Sequence, residues 1–124
     1  MSTLKKRIDS FRFAFKGIAD LFISQPNARI HAVAATIALI LGGTLGLSKI
    51  EWCLIVLCIF AVLAAEAFNT ALEHLTDLVS PDYHILAEKT KDVAAAGVLL
   101  TAFGAFIIGT IIYLPKVLIY FGTL

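Results

Sequence analysis

The sequence predicts an all-α membrane protein: an N-terminal amphipathic helix at the membrane surface, then three transmembrane helices. Three observations predict it. Of the 124 residues, 60% are apolar and 15% charged, with a mean hydropathy of +0.92. Soluble domains average roughly 25% charged residues, and a chain this short cannot bury so much hydrocarbon in a core of its own. Three stretches approach or exceed the roughly 20 mostly apolar residues that cross a bilayer. Ahead of them, apolar residues recur at helical spacing rather than in alternation. The composition excludes disorder and is expected to form one domain over residues 1–124.

The surface helix is expected over residues 4–24. Leu4, Ile8, Phe11, Phe15, Ile18 and Phe22 follow one helix face, while Lys5, Lys6, Arg7, Asp9, Arg12 and Lys16 lie between them. A basic face opposite an aromatic-rich apolar one suits the headgroup plane, although packing on the rest of the chain is compatible with it. The first span is expected over residues 30–48, between Arg29 and Lys49, with His31 at its entrance. The second, residues 52–76, meets Glu66 partway along and then Glu73, with Asp77 just beyond. The third, residues 93–114, carries no charge and stops before Pro115. Residues 78–92 join the last two as a loop.

Charge sets the expected orientation. Six of the ten basic residues precede the first span, and Lys89 and Lys91 lie in the second loop. By the positive-inside rule both regions face the cytoplasm and the C-terminus lies outside. No signal peptide is expected, because the first long apolar run begins only after Arg29. A net charge of +1 provides no nucleic-acid footprint. Cys53 and Cys58, inside an apolar run and without metal-ligand spacing, are expected to be buried small hydrophobes. Ala34, Ala38, Gly42 and Gly46 repeat every four residues, as do Gly97, Thr101, Ala105 and Gly109. Such stripes let helices approach closely in lipid. Three helices enclose little interior, so an oligomer is expected.

The unusual feature is the acidic second span. At 100° per residue, Glu66, Asn69, Glu73 and Asp77 fall within roughly 80° of arc and climb about 16 Å along the axis. Ionisable groups at this depth are costly and usually mark function. One such carboxylate alone also fits a protonated structural role; four polar groups on one face favour chemistry. Glu73 and Asp77, towards water, are hard oxygen donors suited to Mg²⁺ and a phosphate chain. Glu66, deeper and desolvated, suits general-base work, and Asn69 can fix a phosphate oxygen or a ligand. Asp82, His84, Glu88, Lys89, Lys91 and Asp92 follow, and Lys91 can neutralise phosphate charge. No P-loop and no kinase glycine loop occurs. The pattern fits an enzyme joining a lipid hydroxyl to a soluble phosphate donor. A small proton- or cation-coupled transporter is the alternative, since it too uses an intramembrane glutamate.

The run EAFNTALEHLTDLVSPDYH (66–84), with AEKTKDVAAAGVLL (87–100), FAFKGI (13–18) and NARIH (27–31), resembles the prokaryotic diacylglycerol kinase family, which includes undecaprenol kinases. The resemblance covers nearly the whole chain. It implies a homotrimeric kinase of the bacterial inner (cytoplasmic) membrane, with active sites shared between subunits. Such an enzyme transfers the γ-phosphate of MgATP to undecaprenol or diacylglycerol, for lipid recycling in the cell envelope. Position by position, it implies Glu66 as the catalytic base and Asn69 as a polar group of the site, set to bind lipid and nucleotide. It implies Glu73 as a metal ligand, and Asp77, Lys91 and the neighbouring Asp92 as nucleotide-site residues. Asp82 and His84 fall where the family's loop approaches the nucleotide, and Arg29 lies near the site. The chain departs from the family at Gln25, where a second metal-binding glutamate usually stands. An amide ligates Mg²⁺ without charge, so the resemblance also admits a catalytically weakened relative. Phe13 replaces a tyrosine found in some members. NARIH and EWCLI (51–55) look more like the undecaprenol kinase branch.

Overall fold

The computed structural model describes residues 2–123. Four helices follow one another: α1 (Thr3–Ser24), α2 (Pro26–Leu45), α3 (Lys49–Val79) and α4 (Ile85–Tyr120). Among the described residues there is no strand. The last three helices are long and apolar enough to cross a membrane, so this is an all-helical membrane protein.

Local chemistry places each boundary. Ser2 caps α1, its hydroxyl accepting from the Lys5 N–H at 3.3 Å. Gln25 is extended, with φ −112° and ψ 108°, because the ring of Pro26 disfavours helical backbone at the residue before it. Pro26 then opens α2, a position where its missing N–H costs nothing. The first apolar stretch was expected to span to Ser48, but α2 stops at Leu45. Gly46 takes φ +72° and ends the helix as a left-handed cap. Ser48 instead starts α3 in a reciprocal box: it accepts from the Glu51 N–H at 3.2 Å while its own N–H donates to Glu51 Oε2 at 2.8 Å.

α3 is longer than the stretch 52–76. Its 31 residues extend about 46 Å, more than the roughly 30 Å hydrocarbon layer. It ends where Ser80 precedes Pro81. The expected loop 78–92 contracts to residues 80–84, because α4 begins at Ile85; Glu88, Lys89, Lys91 and Asp92 are therefore helical. α4 also runs on through Pro115 to Tyr120. Past Lys116 the apolar sequence resumes as Val117–Tyr120, and helix is the conformation that satisfies its backbone without water.

The core sits at one end. Leu47, Ile55 and Ile112 are buried together, with Ala38, Trp52, Ile59, Ile108 and Tyr113 packed on them. Tyr113 donates to the Ala38 carbonyl at 2.6 Å, and Lys116 pairs with Glu51 at 3.2 Å. At Gly42 a Cβ would lie 2.8 Å from the Trp52 ring and 2.9 Å from Leu47, so only glycine lets the indole seat there.

One expectation about packing is corrected. Cys53 is exposed and Cys58 only half-buried, Cys58 because it faces the cavity between α2, α3 and α4 rather than packed side chains. The small-residue stripes meet neighbouring helices within the chain at Gly42, under Trp52, and at Ala38, whose carbonyl accepts from Tyr113; elsewhere they stand apart. Gly46 serves as a cap, and a Cβ at Gly97 or Gly109 would meet no atom within 4 Å. Ala34, Ala38, Ala105 and Gly109 instead line one cavity, and Gly97 and Thr101 another.

The candidate active site

The polar face of α3 forms a gradient of burial. Glu66 is 1% exposed and Asn69 8%; Glu73 is half-buried, and the Asp77 side chain is 62% exposed. Helical spacing stacks them, and the bonds run along the same row. Thr70 donates to the Glu66 carbonyl at 2.9 Å, and Asn69 Nδ2 donates to Glu73 Oε1 at 3.3 Å. At the exposed end Lys91 of α4 pairs with Asp77 of α3. This brings together two residues far apart in sequence that were both expected at the nucleotide.

Two buried polar atoms have no hydrogen-bond partner: Glu66 Oε1 and Asn69 Oδ1. Buried oxygens are normally satisfied, so an orphaned pair marks a place where something else is bound. Glu66 Oε1 lies 3.3 Å from His31 Nε2, without hydrogen-bond alignment. His31 was noted only as the residue at the entrance of the first span. Its place one turn into α2, ahead of an uninterrupted apolar run, was the available signal; nothing in the sequence pairs it with Glu66.

Below His31 a cavity of about 380 Å³ opens between α2, α3 and α4, walled by Ala34, Ala38, Val62, Ala105 and Gly109 and ending at Tyr113. A second, of about 710 Å³, lies between α3 and α4 beside Asn69, Phe68, Lys89 and Thr90. His31 thus joins the apolar chamber to the buried Glu66, and the stripe runs from Glu66 to the exposed Asp77.

Among the described residues, no hydrogen bond or ion pair ties the remaining expected residues to the stripe. Gln25 joins α1 to α2 and its side chain makes no capping bond. Arg29, Asp82 and Asp92 are exposed, Asp82 accepting from the Ser80 hydroxyl through its backbone carbonyl at 2.9 Å. His84 caps α4, its Nδ1 accepting from the Leu86 N–H at 3.1 Å. Beside it the Tyr83 hydroxyl donates to Glu88 at 2.7 Å, a bond that pushes the phenol pKa up.

A carboxylate buried in a span-length apolar helix, with a polar stripe running from it to an exposed end, defines a class of protein: a membrane enzyme acting where lipid meets water. Residues 12–113 match the family described as prokaryotic diacylglycerol kinase. The chain is 41% identical to undecaprenol kinase of Bacillus subtilis (strain 168), over 91% of this chain and 92% of that protein. It is 39% identical to diacylglycerol kinase of Synechocystis sp. (strain ATCC 27184 / PCC 6803 / Kazusa), over 88% of this chain and 63% of that protein. With diacylglycerol kinase of Escherichia coli (strain K12) it shares 27% identity over 77% of this chain and 78% of that protein. The chain belongs to the prokaryotic diacylglycerol kinase family. It is an ATP-dependent lipid kinase, which displaces the transporter alternative.

Proposed function

We infer that the chain phosphorylates the hydroxyl of undecaprenol at the cytoplasmic face of a bacterial membrane, supplying lipid recycling in the cell envelope. The observation that carries this is the orphaned oxygen of Glu66, buried 3.3 Å from the His31 ring that lines an apolar chamber. A lipid tail in that chamber sets its hydroxyl beside Oε1, which accepts the proton as the lipid oxygen attacks the γ-phosphorus. The polar stripe receives the phosphate chain: Asn69 Nδ2, which gives one N–H to Glu73, has a second to donate to it, and Lys91, steered by Asp77, balances its charge. Asp82, His84 and Asp92 line the approach of the nucleotide, and Arg29 lies at the lipid entrance. The preference for undecaprenol over diacylglycerol rests on NARIH and EWCLI and on the similarity to the Bacillus protein along nearly its whole length.

Mg²⁺ fits this donor set. Among the described residues no three His, Cys, Asp or Glu side chains converge. Mg²⁺ is commonly held by one or two carboxylates plus waters and phosphate oxygens. Glu73 would hold it, with Gln25 contributing at most an uncharged oxygen, and the bound ion would screen charge on the transferring phosphate. The basic N-terminal segment and the short 80–84 connection face the cytoplasm, and three copies complete the site.

The test is ATP-dependent phosphate transfer in detergent, with undecaprenol and diacylglycerol side by side. Undecaprenol is expected to turn over faster, and Glu66→Gln to lower kcat by roughly 10²- to 10⁴-fold. Transfer unaffected by Glu66→Gln refutes the base, and faster turnover of diacylglycerol refutes the substrate.

A further inference from the structure

We propose that His31 is the proton exit for Glu66, a relay and positioning residue in the kinase site; the inference rests on Glu66 acting as the base. A base that takes a proton from each lipid has to lose it before the next. Glu66, 1% exposed, does not reach water itself. Its Oε1 lies 3.3 Å from His31 Nε2, and the His31 side chain is 25% exposed. One ring therefore touches the buried carboxylate and has open surface besides, at the end of the chamber that it lines. The missing hydrogen-bond alignment leaves Oε1 free to accept from substrate, while the short distance keeps the imidazole within reach of a proton held there.

The neighbouring groups are otherwise engaged. On α3 the Thr70 hydroxyl is tied back to the Glu66 carbonyl at 2.9 Å, and Asn69 Nδ2 to Glu73 at 3.3 Å. From α4 the chamber receives Ala102, Ala105, Phe106, Gly109 and Tyr113. Of these only Tyr113 titrates, and its hydroxyl donates to Ala38 at 2.6 Å near the far end.

The step balances. The lipid O–H bond breaks as its oxygen bonds to the γ-phosphorus and the bond to ADP breaks. The proton passes to Glu66 Oε1 and then to Nε2 of a neutral His31. The imidazolium loses one proton to water, and the net release is one proton per phosphate transferred.

The experiment compares His31→Gln, His31→Ala, Glu66→Gln and the Glu66→Gln/His31→Gln pair as full-length protein in one detergent and lipid mixture. Gln keeps a donor of similar reach but cannot carry a proton. We expect His31→Gln to lower kcat about 10- to 100-fold with the ATP KM changed by less than about twofold. His31→Ala loses as much and regains turnover with added imidazole, and the double variant is no slower than Glu66→Gln alone. Wild-type kcat in His31→Gln beside an inactive Glu66→Gln overturns the relay and leaves the base standing. Loss in His31→Gln with a lowered unfolding temperature, and no imidazole rescue of His31→Ala, assigns His31 to structure and also overturns it. Turnover retained by Glu66→Gln overturns the base, and the relay with it.

Discussion

At the scale of single residues, burial decides what each member of the stripe can do. Glu66 and Asn69 are enclosed with an oxygen each left unpartnered, so removing either changes chemistry before it changes packing. Lys91 and Asp77 differ: their side chains are 41% and 62% exposed, and exposed ion pairs contribute only about 0–1 kcal/mol. Lys91→Met is therefore expected to raise the ATP KM severalfold, on the order of 1 kcal/mol of binding, while thermal unfolding barely moves. Steady-state kinetics beside a melting curve check this, and a large fall in melting temperature with an unchanged KM contradicts it. Gln25 tests the metal. Restoring a carboxylate with Gln25→Glu is expected to lower the Mg²⁺ concentration needed for half-maximal turnover by about 1–2 kcal/mol of affinity, the size of one added charged contact. A Mg²⁺ titration of both proteins reads it directly. An unchanged midpoint means that position 25 is only the corner between α1 and α2.

At the scale of elements, the end of the bundle away from the 80–84 connection holds the helices together. The Trp52 indole lies on Gly42, and Ile55, Leu47 and Ile112 close around it. Gly42→Ala places a Cβ 2.8 Å from the ring, so the indole has to move. Overpacking of this kind costs typically 1–3 kcal/mol. Trp52 is the one tryptophan of the chain, and its fluorescence reports the displacement and the lowered unfolding midpoint together. An Ala variant with unchanged emission and stability shows that the contact is slack. Ala38, Ile55, Ile59 and Tyr113 belong both to this core and to the chamber wall, so the same packing that registers the helices also shapes the chamber. Of the small residues of α2 and α4, Gly42 seats the indole, while Ala34, Ala105 and Gly109 line the chamber.

At the scale of the whole molecule, exposed surface is the governing quantity. The described chain exposes 9103 Å², against about 6,500 Å² for a compact soluble protein of its 13.4 kDa mass. In a membrane protein, lipid covers such surface. α1 illustrates it, with Leu21 buried and Leu4, Ile8, Phe11, Phe15 and Ile18 all exposed on one side. That apolar side is available to the headgroup plane. We expect the detergent-corrected mass to equal three chains, with cross-linking stopping at the trimer. A fully active single chain contradicts shared sites.

Much of this was legible in the linear sequence, because hydropathy and helical period are local properties. Three apolar stretches, the face shared by Glu66, Asn69, Glu73 and Asp77, and the pattern EAFNTALEHLTD needed no contact between distant residues to be read. Helix ends were less legible where two signals compete: Gly46 overrode the apolar run to Ser48, and continuing hydrocarbon carried α4 through Pro115. Only the tertiary structure decided what meets across helices. The 3.3 Å approach of His31 to Glu66, the Lys91–Asp77 pair, the seat of Trp52 on Gly42 and the chamber below them all depend on how α2, α3 and α4 are set side by side. Those positions come from packing and rotation summed over whole helices, which no local spacing contains.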